Sequence, residues 1–86
     1  MKIVKINAIW CSGCLYMKKV WKEVLKDYPD LEIEEYDLDM DEEMAKSYNP
    51  GDTLPVAIFY KGDTEYKRLC GEHSKDEIID IIKERI

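Results

Sequence analysis

Cys11 and Cys14 stand three residues apart, with Ser12 and Gly13 between them. Two thiols at that spacing support two chemistries. On a helix, residues three apart share a face, so the sulfurs come within reach of a disulfide and can exchange it with a substrate. In a loop, the same pair is half of a tetrahedral zinc site, for which only Cys70 and His73 offer a second half, themselves at Cys-x-x-His spacing. The carrying element separates the two. Zinc knuckles are usually loop-based, whereas a pair opening a helix within a strand–helix–strand unit is the setting of a redox couple.

The flanking residues read as that strand–helix–strand unit. Residues 2–9 are dominated by β-branched and apolar types without a turn former, and read as a strand. From Cys11 the period changes. Cys14, Met17, Val20/Trp21, Val24/Leu25 and Tyr28 recur at three- and four-residue steps, with lysines at 18, 19, 22 and 26 between them. That is an amphipathic helix of about four turns, ended near Tyr28 by Pro29. Position then assigns the roles. Cys11 falls at the helix N-terminus, where unpaired N–H groups and the positive dipole end stabilise a thiolate, so it is the expected nucleophile. Cys14, one turn deeper and more buried, keeps its proton longer and is the expected resolving thiol. Ser12 and Gly13 permit the tight first turn, and Trp10 forms an apolar rim for a partner chain.

The remaining elements follow from period and punctuation. Residues 31–39 read as a second strand. Asp41 reads as the N-cap of a short helix through about Tyr48, with Glu42 and Glu43 in its first turn. Asn49-Pro50-Gly51-Asp52 is a loop, and Pro55 opens the most apolar strand, residues 56–60. Residues 61–64 form a hairpin turn, and Glu65 to Cys70 returns as a fourth strand broken by Gly71. Ser74 and Glu77 form a capping box for a last helix whose apolar face is Ile78, Ile79, Ile81, Ile82 and Ile86. The order β-α-β-α-β-β-α predicts an α/β domain over residues 1–86, a four-stranded mixed sheet flanked by helices on both faces.

Composition narrows the partners. Thirteen basic against nineteen acidic residues leave a net charge of −6, which repels phosphate backbones and argues against nucleic acid. The longest apolar run, residues 54–60, is far short of the ~20 residues of a membrane span, and no secretory h-region is visible. Three cysteines are an awkward number for a disulfide framework, so a reducing cytoplasm is the expected location. Ten of the seventeen residues from Asp27 to Glu43 are acidic, and read as a solvated strand edge and helix start. Ile9, Trp10, Leu54 and Met17 are expected to form a less acidic docking rim.

Trp10-Cys11-x-x-Cys14 after the first strand, Leu54-Pro55 before the apolar strand, and Gly71 before the last helix resemble the thioredoxin-like superfamily. The resemblance covers nearly the whole chain, without the extra N-terminal strand and helix of full thioredoxin, which makes it glutaredoxin-sized. Thr53-Leu54-Pro55 also resembles the glutaredoxin Thr-Val-Pro signature. The glutaredoxin Cys-Pro-Tyr-Cys and Gly-Gly-x-Asp are absent. The resemblance implies that Pro55 is a cis-proline facing the cysteines and that Leu54 presents its backbone to a bound chain. Two departures stand out. Ser12-Gly13 replaces the Gly-Pro of thioredoxin, so its reduction potential does not carry over. Six residues before the nucleophile, the family has a buried aspartate near a strand lysine, serving as a proton relay; here Lys5 and Glu35 occupy those places, a candidate charge-swapped relay. Cys70, brought near Pro55, is a candidate accessory thiol, expected to pack as a small apolar strand end.

The function expected is thiol–disulfide oxidoreduction. Cys11 attacks a protein disulfide, Cys14 resolves the mixed disulfide, and an unidentified reductase returns electrons to a monomeric enzyme. No metal or organic cofactor is expected. The alternatives are a glutathione-dependent reductase, with Lys61 the nearest cation to hold the tripeptide's carboxylates, and a metal module of Cys11, Cys14, Cys70 and His73.

Overall fold

Alternation along the first strand, β1 (Lys2–Asn7), sorts its side chains between two faces: Ile3, Lys5 and Asn7 on one, Val4 and Ile6 on the other. Each face needs a cover, and the rest of the chain supplies it. The computed structural model describes residues 1–51 and 53–84. After β1 come α1 (Ser12–Asp27), β2 (Glu32–Asp37), α2 (Glu42–Ser47), β3 (Val56–Lys61), β4 (Thr64–Cys70) and α3 (Lys75–Glu84). This is the order the sequence predicts. The strands lie as β2-β1-β3-β4, with β1 parallel to β2 and antiparallel to β3, and β3 antiparallel to β4.

The helices divide between the faces. Met17, Trp21 and Val24 of α1 and Ile78, Ile81 and Ile82 of α3 pack with Ile3, Ala57 and Phe59. Phe59 is fully buried, its ring 6.0 Å from that of Trp21 and 6.2 Å from that of Tyr66. On the opposite face, Ala45 of α2 covers Val4, Ile6, Val56 and Ile58. A third, smaller cluster joins Ala8, Cys11 and Cys14 at the end of β1, with Leu38 and Leu54 against it.

Element ends differ from the expected ones for local reasons. β2 stops at Asp37 because its Oδ1 accepts the N–H groups of Asp39 (2.8 Å) and Met40 (3.0 Å), turning the chain. Asp41 does not cap α2 with its side chain; its carboxylate accepts instead from Asp37 N at 3.1 Å. Two expected positions, Asp52 in the loop and Ile86 on the last apolar face, lie outside the described residues. No helix among the described residues is long and apolar enough to cross a membrane.

The capping box at α3 forms as read. Glu77 N donates to Ser74 Oγ at 3.2 Å, and Ser74 N donates to Glu77 Oε1 at 3.3 Å. The other Glu77 oxygen lies 2.8 Å from His73 Nδ1. The His73 contact, then the Ser74 N–H, hold the Glu77 carboxyl below its ordinary range. A depressed carboxyl stabilises the fold above its unfolded pKa of about 4.3 and loses that contribution as pH falls. Glu77→Gln is therefore expected to lower the urea midpoint at pH 7, with the difference from wild type shrinking toward pH 3.

Candidate active site

The site begins with a cap. Cys11 has extended backbone (φ −89°, ψ 110°) and takes the N-cap position of α1, where Ser, Thr, Asp or Asn usually stand. Its sulfur fills the cap's role, accepting the Cys14 backbone N–H at 3.2 Å. No acidic side chain of α1 itself occupies its first turn. Cys11 N donates to Ala8 O at 3.1 Å, closing the turn between β1 and α1. Both sulfurs are free thiols, and both residues are buried, Cys11 8% and Cys14 9% exposed. Burial pushes the Cys14 thiol up to about 11, with the hydrogen bond to Cys11 adding to it and the Ala8 backbone opposing it. The two residues are equally buried, so the expected difference in depth is not seen; what separates the sulfurs is their contacts. Cys11 accepts an N–H at a helix end, while Cys14 resists ionisation.

A groove opens over Cys11, lined by Trp10, Ser12, Gly13, Thr53, Leu54 and Glu72 among others. Trp10 is 66% exposed and its indole N–H donates to Asp39 Oδ2 at 2.9 Å. The peptide bond between Leu54 and Pro55 is cis. A methyl group on Gly13 would lie 3.5 Å from Pro55 Cδ, so the proline packs over the turn between the cysteines. Gly71, with φ +84°, donates its N–H to Pro55 O at 2.8 Å and ties the end of β4 to the same loop.

Lys5 and Glu35 are paired, as the parallel register of β1 and β2 requires. The Lys5 ammonium lies 2.5 Å from Glu35 Oε1 and 5.4 Å from the centre of the Trp21 ring. The side chains differ in exposure, 8% for Lys5 and 57% for Glu35. Lys5 is the one buried charged residue among the described residues. It shares with Glu35, Asp37 and Cys14 the wall of a cavity of about 300 Å³.

Other expected placements need correction. Met17 is no part of a docking rim: it is 3% exposed, on the inward stripe of α1, and its sulfur accepts His73 N–H at 3.3 Å. The exposed apolar residues of this region are Ile9, Trp10, Leu15 and Tyr16. Cys70 pairs with Val56 beside Pro55, yet it is exposed on the edge strand rather than packed. Neither Cys70 nor His73 lines the groove, and the His73 ring nitrogens contact Glu77 and Cys70 O. Among the described residues no group of three or more His, Cys, Asp or Glu side chains is placed to hold a metal. Lys61 ends β3 six residues beyond Pro55, about 20 Å along a strand rising ~3.3 Å per residue, too far to serve the groove.

Sequence reasoning passed over Asp39, Asp37 and Glu72. The first two lay inside an acidic run read as a solvated edge, and nothing local marks Glu72 beyond its following Gly71.

Comparison with known proteins agrees with this geometry. A sequence model of the Thioredoxin family matches residues 1–84. Thioredoxin H5 of Oryza sativa subsp. japonica is 31% identical over 74 residues, covering 86% of this chain and 54% of the rice protein. The structure of reduced Schistosoma mansoni thioredoxin is 29% identical with a TM-score of 0.84, over 99% of this chain and 78% of that one. Thioredoxin-2, a component of malaria parasite protein secretion machinery, is 25% identical with a TM-score of 0.90, over 98% and 82%. The chain spans from 54% to 66% of the length of the first curated relatives it matches.

Proposed function

The chain belongs to the thioredoxin family, and on that premise we propose that it is a thiol–disulfide oxidoreductase that reduces disulfides in proteins. The Cys11 thiolate attacks one sulfur of the substrate disulfide. The substrate S–S bond breaks, its leaving thiolate takes a proton, and a mixed disulfide remains on Cys11. Cys14 then loses its proton and attacks Cys11 Sγ, expelling the second substrate thiolate. Two electrons have passed to the substrate, and the pair is left as the Cys11–Cys14 disulfide. A disulfide reductase returns the electrons. The protein works as a cytoplasmic monomer, and Trp10, Leu54 and Pro55 form the walls that hold the substrate chain.

One observation carries this reading. The Cys11 sulfur caps α1 inside an open groove, and the Cys14 N–H already points at it from 3.2 Å. The test is reduction of insulin disulfides with dithiothreitol as electron source. Catalysis well above dithiothreitol alone is expected, and a rate no higher than dithiothreitol alone overturns the reading.

Lys5 and Glu35 have a role in the second step in this proposal. Cys14 must shed a proton in an apolar cluster, and the cavity it shares with the ion pair offers the way out. The ammonium favours the developing Cys14 thiolate, and the half-exposed Glu35 carboxylate hands the proton on to solvent.

A further inference from the structure

We propose that Glu72 is a specificity-determining residue, selecting disulfides flanked by lysine or arginine. The inference deepens the oxidoreductase reading and rests on it. A methyl group on Gly13 would lie 3.4 Å from Glu72 Cγ and 3.7 Å from its carboxyl carbon, so the carboxylate stands over the turn between the two cysteines. The bond from Gly71 N to Pro55 O fixes the backbone just before it. Among the described residues, Glu72 is the one charged residue lining the groove over Cys11, and no cation is paired with it. The exposed carboxylate lies close enough to the nucleophile to meet whatever binds there.

A second carboxylate is bonded to the groove wall: Trp10 lines the groove, and its indole N–H donates to Asp39 Oδ2. A disulfide presented to Cys11 therefore meets the Glu72 carboxylate, with no lysine, arginine or histidine among the described lining residues to offset it. A cationic neighbour gains attraction from this arrangement, and an anionic one is repelled. Glutathione disulfide, with its multiple carboxylates, belongs to the disfavoured class.

Three peptides test this, each with one intramolecular disulfide and flanked by Lys, Gln or Glu. The second-order rate constant for reduction by the pre-reduced protein is measured at low and high salt. At low salt the Lys peptide is expected to exceed the Glu peptide about tenfold, each charge contributing a few-fold as a partly exposed pair does, and added salt should compress the ratio. Glu72→Gln should bring the ratio down about threefold, and Glu72→Lys should bring it to unity or below. Asp63→Asn, in the hairpin turn between β3 and β4, should leave the ratio unchanged and so separates Glu72 from the overall charge of −6. A ratio that Glu72→Lys does not move, with the Gln peptide still reduced, overturns this proposal. Failure of the wild-type protein to reduce the Gln peptide overturns the oxidoreductase reading beneath it.

Discussion

Cys11→Ser is expected to lower the rate of insulin reduction by roughly 10³-fold or more, since a hydroxyl at the helix cap cannot supply the thiolate on which the first step depends. Cys14→Ser should fail in a different way. Its Cys11 still attacks, but nothing resolves the product, so the protein reacts once and stops as a stoichiometric mixed disulfide. Mass spectrometry under non-reducing conditions should show that adduct on Cys14→Ser and none on Cys11→Ser, and dithiothreitol should release it. Serine and cysteine are close in size, and the cluster around them is small (Ala8 with Leu38 and Leu54 at its edge), so both variants should retain the wild-type circular dichroism spectrum. Turnover surviving in Cys11→Ser, or an adduct on Cys14 instead of Cys11, would overturn the assignment of roles. The asymmetry follows from position. Cys11 opens into the groove, whereas Cys14 does not line it and holds its proton to about 11.

How far such an assignment can be read without a structure depends on the range of the interactions behind it. The cysteine pair is legible because a local change of period, from the β-branched run of residues 2–9 to the three- and four-residue steps after Cys11, places it at a helix start. The capping box of Ser74 and Glu77 is equally local. The Lys5–Glu35 pairing is legible only through the alignment of two strands thirty residues apart in the chain, and the parallel register confirms that geometry. Glu72 over Gly13 was not legible at all. It depends on how the end of β4 meets the start of α1, across fifty-nine residues of chain and a bond from Gly71 to Pro55.

Exposure is misread for a related reason. Met17 and Leu15 are two residues apart on α1, and which faces solvent depends on the phase of the helix against the sheet. Once Met17 shares the stripe of Cys14, Trp21 and Val24, Leu15 must turn outward. Asp41 shows the limit of a one-residue rule. It has the type and place of an N-cap, yet the turn set by Asp37 draws its carboxylate back to β2. At Asp41 the neighbouring turn outweighs a capping preference worth ~1 kcal/mol.

Glu35→Gln is expected to slow release of substrate from the mixed disulfide by about 10²-fold at pH 7, the scale of a lost general acid–base group. Burial is the leading cause of the Cys14 shift and persists when Cys11 is tied up in the mixed disulfide. A thiol raised by burial is almost wholly protonated at pH 7, so unaided release would climb tenfold per pH unit across the neutral range. A relay through the shared cavity makes the wild-type profile flatter between pH 6 and 9, Glu35→Gln should restore the full slope, and Glu35→Asp should recover part of the flattening. Stability distinguishes this from simple damage. Glu35→Gln leaves the Lys5 charge buried with only the Trp21 ring as partner, whereas Lys5→Met leaves Glu35 57% exposed beside water. Glu35→Gln should therefore cost more stability in urea than Lys5→Met, because an uncompensated buried charge is the costlier remnant. A wild-type profile that already climbs tenfold per unit, unchanged in Glu35→Gln, would remove the relay and leave Cys14 to ionise by its own equilibrium.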